Sequence, residues 1–154
     1  MNITYRKATV NDIDNLAKIR SIFIMEATGC SETERGEMET ANKIYFKRAL
    51  SDDSFVAWFA LDGDRIVATS GLSFSVVPPA LHCRDGKTAY IMNMFTFPEY
   101  RKQGIGTELF KRTVEEAKSR GYKRITLNAT DMGKPLYQKY GFKDMIGDMV
   151  FYVN

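Results

Sequence analysis

The 154-residue sequence lacks the features of several protein classes. No apolar run approaches the ~20 residues that a membrane-spanning helix needs. The N-terminal residues carry neither an apolar leader core nor a small-residue cleavage pattern. We therefore expect no membrane partner, and we expect a cytoplasmic location.

Cysteine and histidine are scarce. Cys30 and Cys83 are the two cysteines and lie far apart, and His82 is the single histidine. Because no CxxC pair or His/Cys cluster has the spacing of metal ligands, we expect reduced thiols and no metal site. His82 is interpreted as a surface histidine in a long loop.

The excess of positive charge is small. The formal net charge is +3, and lysine and arginine are dispersed along the chain instead of forming a stripe. Nucleic-acid-binding surfaces concentrate such residues, so no nucleic-acid partner is expected. The contents of 44% apolar and 27% charged residues are typical of a globular protein, and the length predicts one domain over residues 1–154.

The apolar periodicities predict the element order β-α-α-β-β-β-α-β-α-β-β. The second helix is expected around Met38 to Leu50, and the last two strands form a terminal hairpin over 142–153, broken at Gly147-Asp148. Neighbouring strands followed by strand–helix–strand units indicate an α/β (α+β) fold. The expected sheet is mixed, mostly antiparallel and twisted, with helices on its faces.

One stretch carries most of the functional signal. An apolar strand over 89–96 is followed by Tyr-Arg-Lys-Gln-Gly-Ile-Gly-Thr at 100–107, which leads into a helix. The first N–H groups of a helix lack intrahelical partners and lie at its partly positive end. Glycines at 104 and 106 allow a phosphate to approach them, so the stretch predicts a phosphate site. It matches neither the P-loop nor the dinucleotide fingerprint.

Two motifs identify a family resemblance. Arg101 to Gly106 matches Arg/Gln-x-x-Gly-x-Gly/Ala, which resembles the pyrophosphate loop of the GNAT superfamily of N-acetyltransferases. Leu136 to Phe142 resembles the Leu-Tyr-x-x-x-Gly-Phe segment found near the C-terminal end of many members. The element order also resembles the GNAT fold, so the resemblance covers essentially the whole chain.

The resemblance implies acetyl-CoA as the co-substrate and direct transfer of its acetyl group to a primary amine. In the family, the pantetheine arm enters a gap between two parallel strands, and backbone amides hold the pyrophosphate. The residues implied to bind acetyl-CoA here are Met94, Phe95, Thr96, Arg101, Lys102, Gln103, Gly104, Ile105, Gly106 and Thr107. A backbone N–H near Phe95 is the implied donor to the oxyanion.

The resemblance also assigns a general acid. Tyr137 matches the tyrosine that commonly protonates the leaving thiolate in this family. A phenol with an ordinary pKa of about 10 is protonated at neutral pH and can donate. The alternative is that Tyr137 only packs on its short helix, which is the interpretation we give to Tyr140.

No general base is evident. Asn93 and Asn128 lie where family members often have a glutamate, and an amide cannot accept the proton. Glu26 could face the acceptor groove, so Glu26 and Asn93 are the candidate substrate-binding residues. The alternatives are a solvated Glu26 and loss of the amine proton to water.

The sequence leaves alternatives open for the acceptor and for the function. The acceptor could be a small-molecule or peptide amine, and family members often form homodimers, although no interface is indicated. An acidic cluster could attract a cationic substrate or simply begin a helix: Glu32, Glu34, Glu37 and Glu39. The rival functions are a non-catalytic acyl-CoA sensor and an enzyme for longer acyl-CoA thioesters.

Overall fold

The structure is a computed structural model that describes residues 1–153. Two short 3-10 turns, Val10–Asp12 and Pro98–Tyr100, precede the first and third helices. The predicted element order is confirmed as far as the fourth helix. The elements are β1 (Ile3–Lys7), α1 (Ile13–Thr28), α2 (Glu32–Ser51), β2 (Phe55–Asp62), β3 (Arg65–Val76), β4 (Lys87–Thr96), α3 (Ile105–Ser119), β5 (Arg124–Leu127) and α4 (Lys134–Tyr140).

The five strands form one mixed sheet in the order β1-β2-β3-β4-β5. The first three pairings are antiparallel, and β4 pairs with β5 in parallel. The crossover from β4 to β5 contains α3, as a parallel connection requires. The mixed, mostly antiparallel sheet predicted from the sequence is therefore confirmed.

The helices cover both faces of the sheet. Phe46 of α2 packs with Leu16 of α1 in a cluster that partly buried Met92 of β4 joins. The neighbouring residue Ile91 packs instead with Phe110 of α3. Because successive side chains of a strand point to opposite faces, α1 and α2 lie on one face of the sheet and α3 lies on the other.

Helix α2 begins at Glu32, six residues before the predicted start. The Ser31 side chain accepts a hydrogen bond from the Glu34 N–H, and the Glu34 carboxylate accepts one from the Ser31 N–H. This capping box satisfies two of the otherwise unpaired donors at the helix start. A polar segment that looks like a connection is therefore the first turns of the helix.

The acidic cluster at the start of α2 is largely paired within the helix. Glu34 belongs to the capping box, while Glu32 and Glu39 form ion pairs with Arg35 at 2.9 and 3.2 Å. The helix dipole also favours carboxylates in this turn. These contacts support the structural interpretation of the cluster over a substrate-attracting one.

The predicted C-terminal hairpin is wrong. Residues 142–153 contain no helix or strand, and Ile146 and Met149 are 98% and 97% exposed. Alternating apolar residues around Gly147-Asp148 fit a hairpin locally, but an isolated two-stranded hairpin is marginal in water. The start of the segment is held by the packing of Phe142 against Phe110. A 3.0 Å ion pair between Lys134 and Asp144 also holds it.

The two cysteines are not joined by a disulfide. Cys30 and Cys83 are both free thiols. None of the helices within residues 1–153 combines the length and apolar character needed to cross a lipid bilayer. In that same part of the chain, no three His, Cys, Asp or Glu side chains cluster as metal ligands would.

The ionisation of Asp12 makes the free energy of unfolding depend on pH. The Arg6 guanidinium donates to both Asp12 carboxylate oxygens at 2.8 Å, and the Thr9 N–H donates to Oδ2 at 2.8 Å. The Arg6 hydrogen bonds lower the pKa of Asp12; burial opposes them, and the Thr9 N–H lowers the pKa further. The stabilisation is therefore present above the unfolded-state pKa of about 3.9 and is lost as pH falls through the lower folded-state value.

We expect Asp12→Asn to reduce the free energy of unfolding by about 1–2 kcal/mol at pH 7, because it weakens a cap and an ion pair. The deficit relative to wild type should shrink as pH falls below about 4. Urea unfolding between pH 3 and 7 measures both effects. Asp14→Asn, which changes an exposed carboxylate of α1, is the control; an equal loss in both variants would contradict the account.

Candidate active site

A cavity opens where β4 and β5 part. The two strands pair over only four positions, from Thr88↔Arg124 to Ile91↔Leu127. β5 ends there, whereas β4 continues to Thr96. The resulting cavity of about 720 Å³ is lined by both strands, by α1 and α4, and by the loop before α3. Its size is in the usual range of ligand sites.

The unpaired edge of β4 presents backbone groups to this cavity. The Phe97 N–H donates to the Val67 carbonyl on β3 at 3.0 Å, which assigns Phe97 to the β3 side. Because the hydrogen-bonding direction alternates along a strand, Met94 and Thr96 present their N–H and C=O groups to the opposite side. The Thr96 carbonyl accepts from Arg101 Nε at 2.8 Å. The remaining groups of this edge are available to a ligand.

A β-bulge at Asn93 bends the strand at the mouth of the gap. Asn93 has a left-handed φ of +55°, and the β3–β4 register shifts between Thr69 and Gly71. Bulges increase twist and redirect side chains beside functional sites. Asn93 Nδ2 donates to Thr69 Oγ1 at 3.2 Å, but Asn93 Oδ1 is buried and has no partner among the described residues. Asn93 lines the cavity, but Oδ1 itself is enclosed, so a small shift of the side chain is needed before a ligand can pair with this acceptor.

The loop between β4 and α3, the candidate anion-binding loop, has the backbone geometry of an anion site. Lys102 and Gly104 have φ values of +59° and +80°, and Gly104 caps α3 without a side-chain hydrogen bond. The first helical hydrogen bond runs from the Glu108 N–H to the Gly104 carbonyl, which leaves the N–H groups of 105–107 without helical partners. With Arg101 and Lys102 beside them, these donors fit a pyrophosphate.

Glu26 lies against this loop. Both oxygens of its carboxylate accept from Arg101 Nη2, at 2.6 and 2.9 Å, and both residues line the cavity. The Glu26 carboxylate is therefore ion-paired with Arg101 and does not stand only in solvent. It is also not free to interact with an acceptor by itself. It connects the end of α1 to the anion-binding loop, while Arg101 also holds the end of β4 through Thr96.

Tyr137 lines the cavity from α4. Its ring packs against Phe110 at a centroid distance of 5.2 Å, and the residue is 8% exposed. The ring lies so close to Gly133 that a Cβ there would be 3.1 Å from the Tyr137 hydroxyl oxygen. The hydroxyl has no hydrogen-bond partner among residues 1–153 and is not among the enclosed polar atoms, so it is open to the cavity. Burial raises the pKa of Tyr137, which keeps the phenol protonated.

Most of the site residues predicted from the sequence line the cavity, but Gln103 and Ile105 do not. Gln103 Nε2 donates to the Glu99 carbonyl at 3.0 Å, and the Ile105 side chain is buried in the core. Tyr140 packs edge-on against Phe110, as expected. The cavity-lining members of the predicted set are Glu26, Asn93, Met94, Phe95, Thr96, Arg101, Lys102, Gly104, Gly106, Thr107 and Tyr137.

The sequence did not point to several residues that line the cavity. Arg20 and Phe23 come from α1, Tyr90 from β4 and Gly133 from the start of α4. For Arg20 a signal was available, because a charged residue lies between the buried positions Ile19 and Ser21 of an amphipathic helix. Gly133 had no signal, since only the folded chain shows the Tyr137 ring above it.

The sequence model of the Acetyltransferase (GNAT) family matches residues 16–142. The chain belongs to the GNAT family of acetyltransferases. The match includes α1 from Leu16 onward, the whole of β4, the candidate anion-binding loop and Tyr137, and it therefore covers every residue that lines the cavity.

Solved structures agree with this assignment to the GNAT family. A predicted acetyltransferase from Clostridium acetobutylicum, solved with acetyl-CoA, superposes with a TM-score of 0.90 at 33% identity, covering 98% of this chain and 96% of that one. A GCN5-related N-acetyltransferase from Ralstonia eutropha superposes with a TM-score of 0.89 at 27% identity, covering 99% of each chain. The GNAT fold expected from the sequence is confirmed.

Curated relatives are similar over shorter stretches. The thialysine N-epsilon-acetyltransferase of Mus musculus is 33% identical over 57 residues, which are 37% of this chain and 34% of the mouse enzyme. The uncharacterized N-acetyltransferase YsnE of Bacillus subtilis is 28% identical over 91 residues, which are 56% of this chain and 54% of that protein. The chain thus matches about a third to a half of the length of these relatives.

A substitution at Gly106 tests whether the N-terminus of α3 binds the phosphates of acetyl-CoA. A Cβ at this position would approach Thr96 Oγ1 at 3.4 Å, an ordinary contact. The fold therefore accepts a Cβ at position 106. A large side chain there would occupy the space of a phosphate bound at the helix N-terminus. We expect Gly106→Trp to weaken acetyl-CoA binding at least tenfold in isothermal titration. Lys111→Trp, at an exposed position of the same helix, should bind as wild type does; equal binding by both variants would contradict the assignment.

Proposed function

We propose that this protein moves an acetyl group from acetyl-CoA to a primary amine by direct transfer. The observation that carries the proposal is a single cavity that joins three features. These are an open strand edge, an anion-binding helix N-terminus and an unpartnered phenol hydroxyl on Tyr137. Direct transfer needs each of them. The strand edge aligns the thioester, the helix N-terminus holds the phosphates of acetyl-CoA, and the Tyr137 hydroxyl protonates the thiolate.

The residues of the cavity fit acetyl-CoA. Backbone groups of Met94 and Thr96 provide an edge for the amide groups of a pantetheine arm, which would pair with β4 as another strand does. The N–H groups of 105–107, together with Lys102, provide charge-matched donors for the pyrophosphate. Acetyl-CoA supplies the activated acyl group, and the chain supplies alignment and electrostatics.

The acceptor amine enters from the α1 face in this proposal. Asn93 Oδ1 is an enclosed acceptor without a partner, so a small shift of this cavity-lining side chain would let it receive an N–H of the amine and orient its lone pair. The amide has no basic site, and the Glu26 carboxylate is held by Arg101. The amine therefore loses its proton to water in the cavity.

The transfer step then follows from the positions of two groups. The amine nitrogen bonds to the thioester carbonyl carbon, and the carbonyl oxygen gains negative charge as the double bond opens. The N–H of Met94, next to Phe95 on the open edge, is placed to donate to that oxygen. The C–S bond then breaks, and the Tyr137 hydroxyl gives its proton to the sulfur. Tyr137 recovers a proton through water from the acylated nitrogen.

A small amine acceptor is supported by the similarity to thialysine N-epsilon-acetyltransferases. Acyl chains longer than acetyl stay an alternative, because Met92, Met94 and Leu127 give the cavity an apolar lining.

The rival function is a non-catalytic acyl-CoA sensor. It is favoured by the engagement of Glu26 with Arg101, which leaves the amine without a protein base. Tyr137 argues against it, because a sensor has no use for a buried phenol whose hydroxyl is unpartnered beside the open edge.

Tyr137→Phe tests the assignment of the general acid. The ring should keep its packing while the proton donor is lost, so we expect kcat to fall by roughly 10²–10⁴. The dissociation constant of acetyl-CoA should stay within about twofold, since the substitution leaves the open edge of β4 and the N-terminus of α3 unchanged. Free-thiol release measures kcat, and titration measures binding. A variant that keeps a third or more of wild-type turnover would reject the assignment.

Gly133→Ala tests the position of the same hydroxyl without removing it. The new Cβ would be 3.0 Å from Tyr137 Cε2 and 3.1 Å from the hydroxyl oxygen, so the ring must shift by a few tenths of an ångström. We expect kcat to fall about threefold to thirtyfold with unchanged acetyl-CoA affinity, because misplacement of a reacting group is costly.

Gly36→Ala is the control for Gly133→Ala. A Cβ at Gly36 has no neighbour within 4 Å, and this helical position should gain up to about 1 kcal/mol of stability. Its kcat should equal that of wild type. If Gly133→Ala also keeps full turnover, the position of the Tyr137 ring is not critical and the general-acid role is contradicted.

A further inference from the structure

Arg20 is a partly buried cation that forms no ion pair or hydrogen bond among the described residues. The other arginines of the chain are paired with carboxylates, form other polar contacts, or are exposed to solvent. Arg20 lies in the middle of α1 and lines the same cavity as Asn93. An arginine cannot lose its proton in a protein, so the charge remains there.

The surroundings of Arg20 do not compensate its charge. The groups that act on it electrostatically are the phenols of Tyr45 on α2 and Tyr90 on β4, and neither is a carboxylate. Burial lowers the pKa of Arg20, consistent with a guanidinium that has lost much of its water. The two acidic residues of the same helix, Asp14 and Glu26, are each six residues from Arg20. They pair instead with Lys43 and Arg101. A desolvated charge without a counter-ion is costly, so a ligand that supplies the anion gains affinity.

The location of Arg20 separates it from the acetyl-CoA residues. The anion-binding loop already holds two cations, Arg101 and Lys102, beside the N-terminus of α3. Arg20 is instead six residues before Glu26 on α1, about 9 Å along a helix, and near Tyr90, which pairs with Ser73 on β3. The cation therefore lies on the acceptor side of the gap.

We propose that Arg20 binds an anionic oxygen group of the acceptor, a carboxylate or a phosphate, while Asn93 receives the amine end. This inference rests on the proposed acetyl transfer and specifies its substrate class as amines that carry an acidic group. The planar guanidinium matches either oxyanion with two parallel hydrogen bonds.

The test compares acceptors that differ only in the anion. Pairs of 4-aminobutyrate, 6-aminohexanoate and L-lysine with their amides vary the carboxylate, and ethanolamine phosphate with ethanolamine tests the phosphate. Binding to the protein saturated with CoA is measured by titration, and kcat/KM with acetyl-CoA by thiol release. We expect wild type to favour the anionic member of at least one pair by roughly tenfold to a hundredfold.

Variants of Arg20 assign the preference to this residue. Arg20→Gln should abolish the preference, Arg20→Lys should keep part of it, and Arg20→Glu should reverse it toward cationic amines such as L-lysinamide. Lys18→Gln removes the same charge from an exposed position of α1 and should behave as wild type. Acetyl-CoA binding in all four variants should stay within about twofold of wild type, which also shows that they fold.

The two proposals fail in different ways. Arg20-dependent binding of an anion without any turnover would overturn acetyl transfer but keep the anion site. Acetylation with less than a threefold preference in every pair, or binding of no member of any pair, would overturn the anion site. Loss of acetyl-CoA affinity in Arg20→Gln would also overturn it, since the cation would then serve the cofactor.

Discussion

The parting of β4 and β5 is the constraint on which the site depends. Parallel pairing stops at Ile91↔Leu127, yet β4 continues for five residues with its other edge still paired to β3. A strand that loses one neighbour inside a folded domain exposes N–H and C=O groups that must be paired. The chain pairs one of them itself, through Arg101 and the Thr96 carbonyl. The others make this edge a binding surface for an extended amide-containing ligand.

The surrounding elements can be understood from this gap. The bulge at Asn93 turns the strand and leaves a buried amide oxygen at its mouth, while α3 directs its positive end to the same place. The ion pair of Glu26 with Arg101 joins α1, which borders the acceptor side, to the loop that would hold phosphates. The two halves of the cavity are thus coupled by a short chain of contacts, Glu26–Arg101–Thr96.

The fold was largely predictable because its signals are local. Apolar periodicity located β2, β3, β4 and α3. The C-terminal hairpin was wrong because the pattern of 142–153 is locally that of a hairpin, whereas pairing depends on neighbours that the sequence does not reveal. The site was predictable to a similar degree. Glycine spacing marked the anion loop and a family motif marked Tyr137.

The remaining parts of the site depend on tertiary contacts. Nothing in the order of residues shows that Glu26 meets Arg101, 75 positions later, or that Gly133 leaves room for the Tyr137 ring. The role of Arg20 is similarly hidden, because an isolated arginine on a helix usually faces solvent. What distinguishes Arg20 is the absence of a carboxylate around it within the described residues, and that absence becomes visible only in the folded chain.

The most direct test of the central claim is residue-resolved amide hydrogen exchange with and without saturating acetyl-CoA. If the parted edge and the helix N-terminus hold the co-substrate, exchange should slow at Met94 and at residues 105–107, which have no partners in the free protein. Exchange in the exposed segment 145–153 should not change. Unaltered exchange at both Met94 and 105–107 would contradict the account, because acetyl-CoA would then bind elsewhere or not at all.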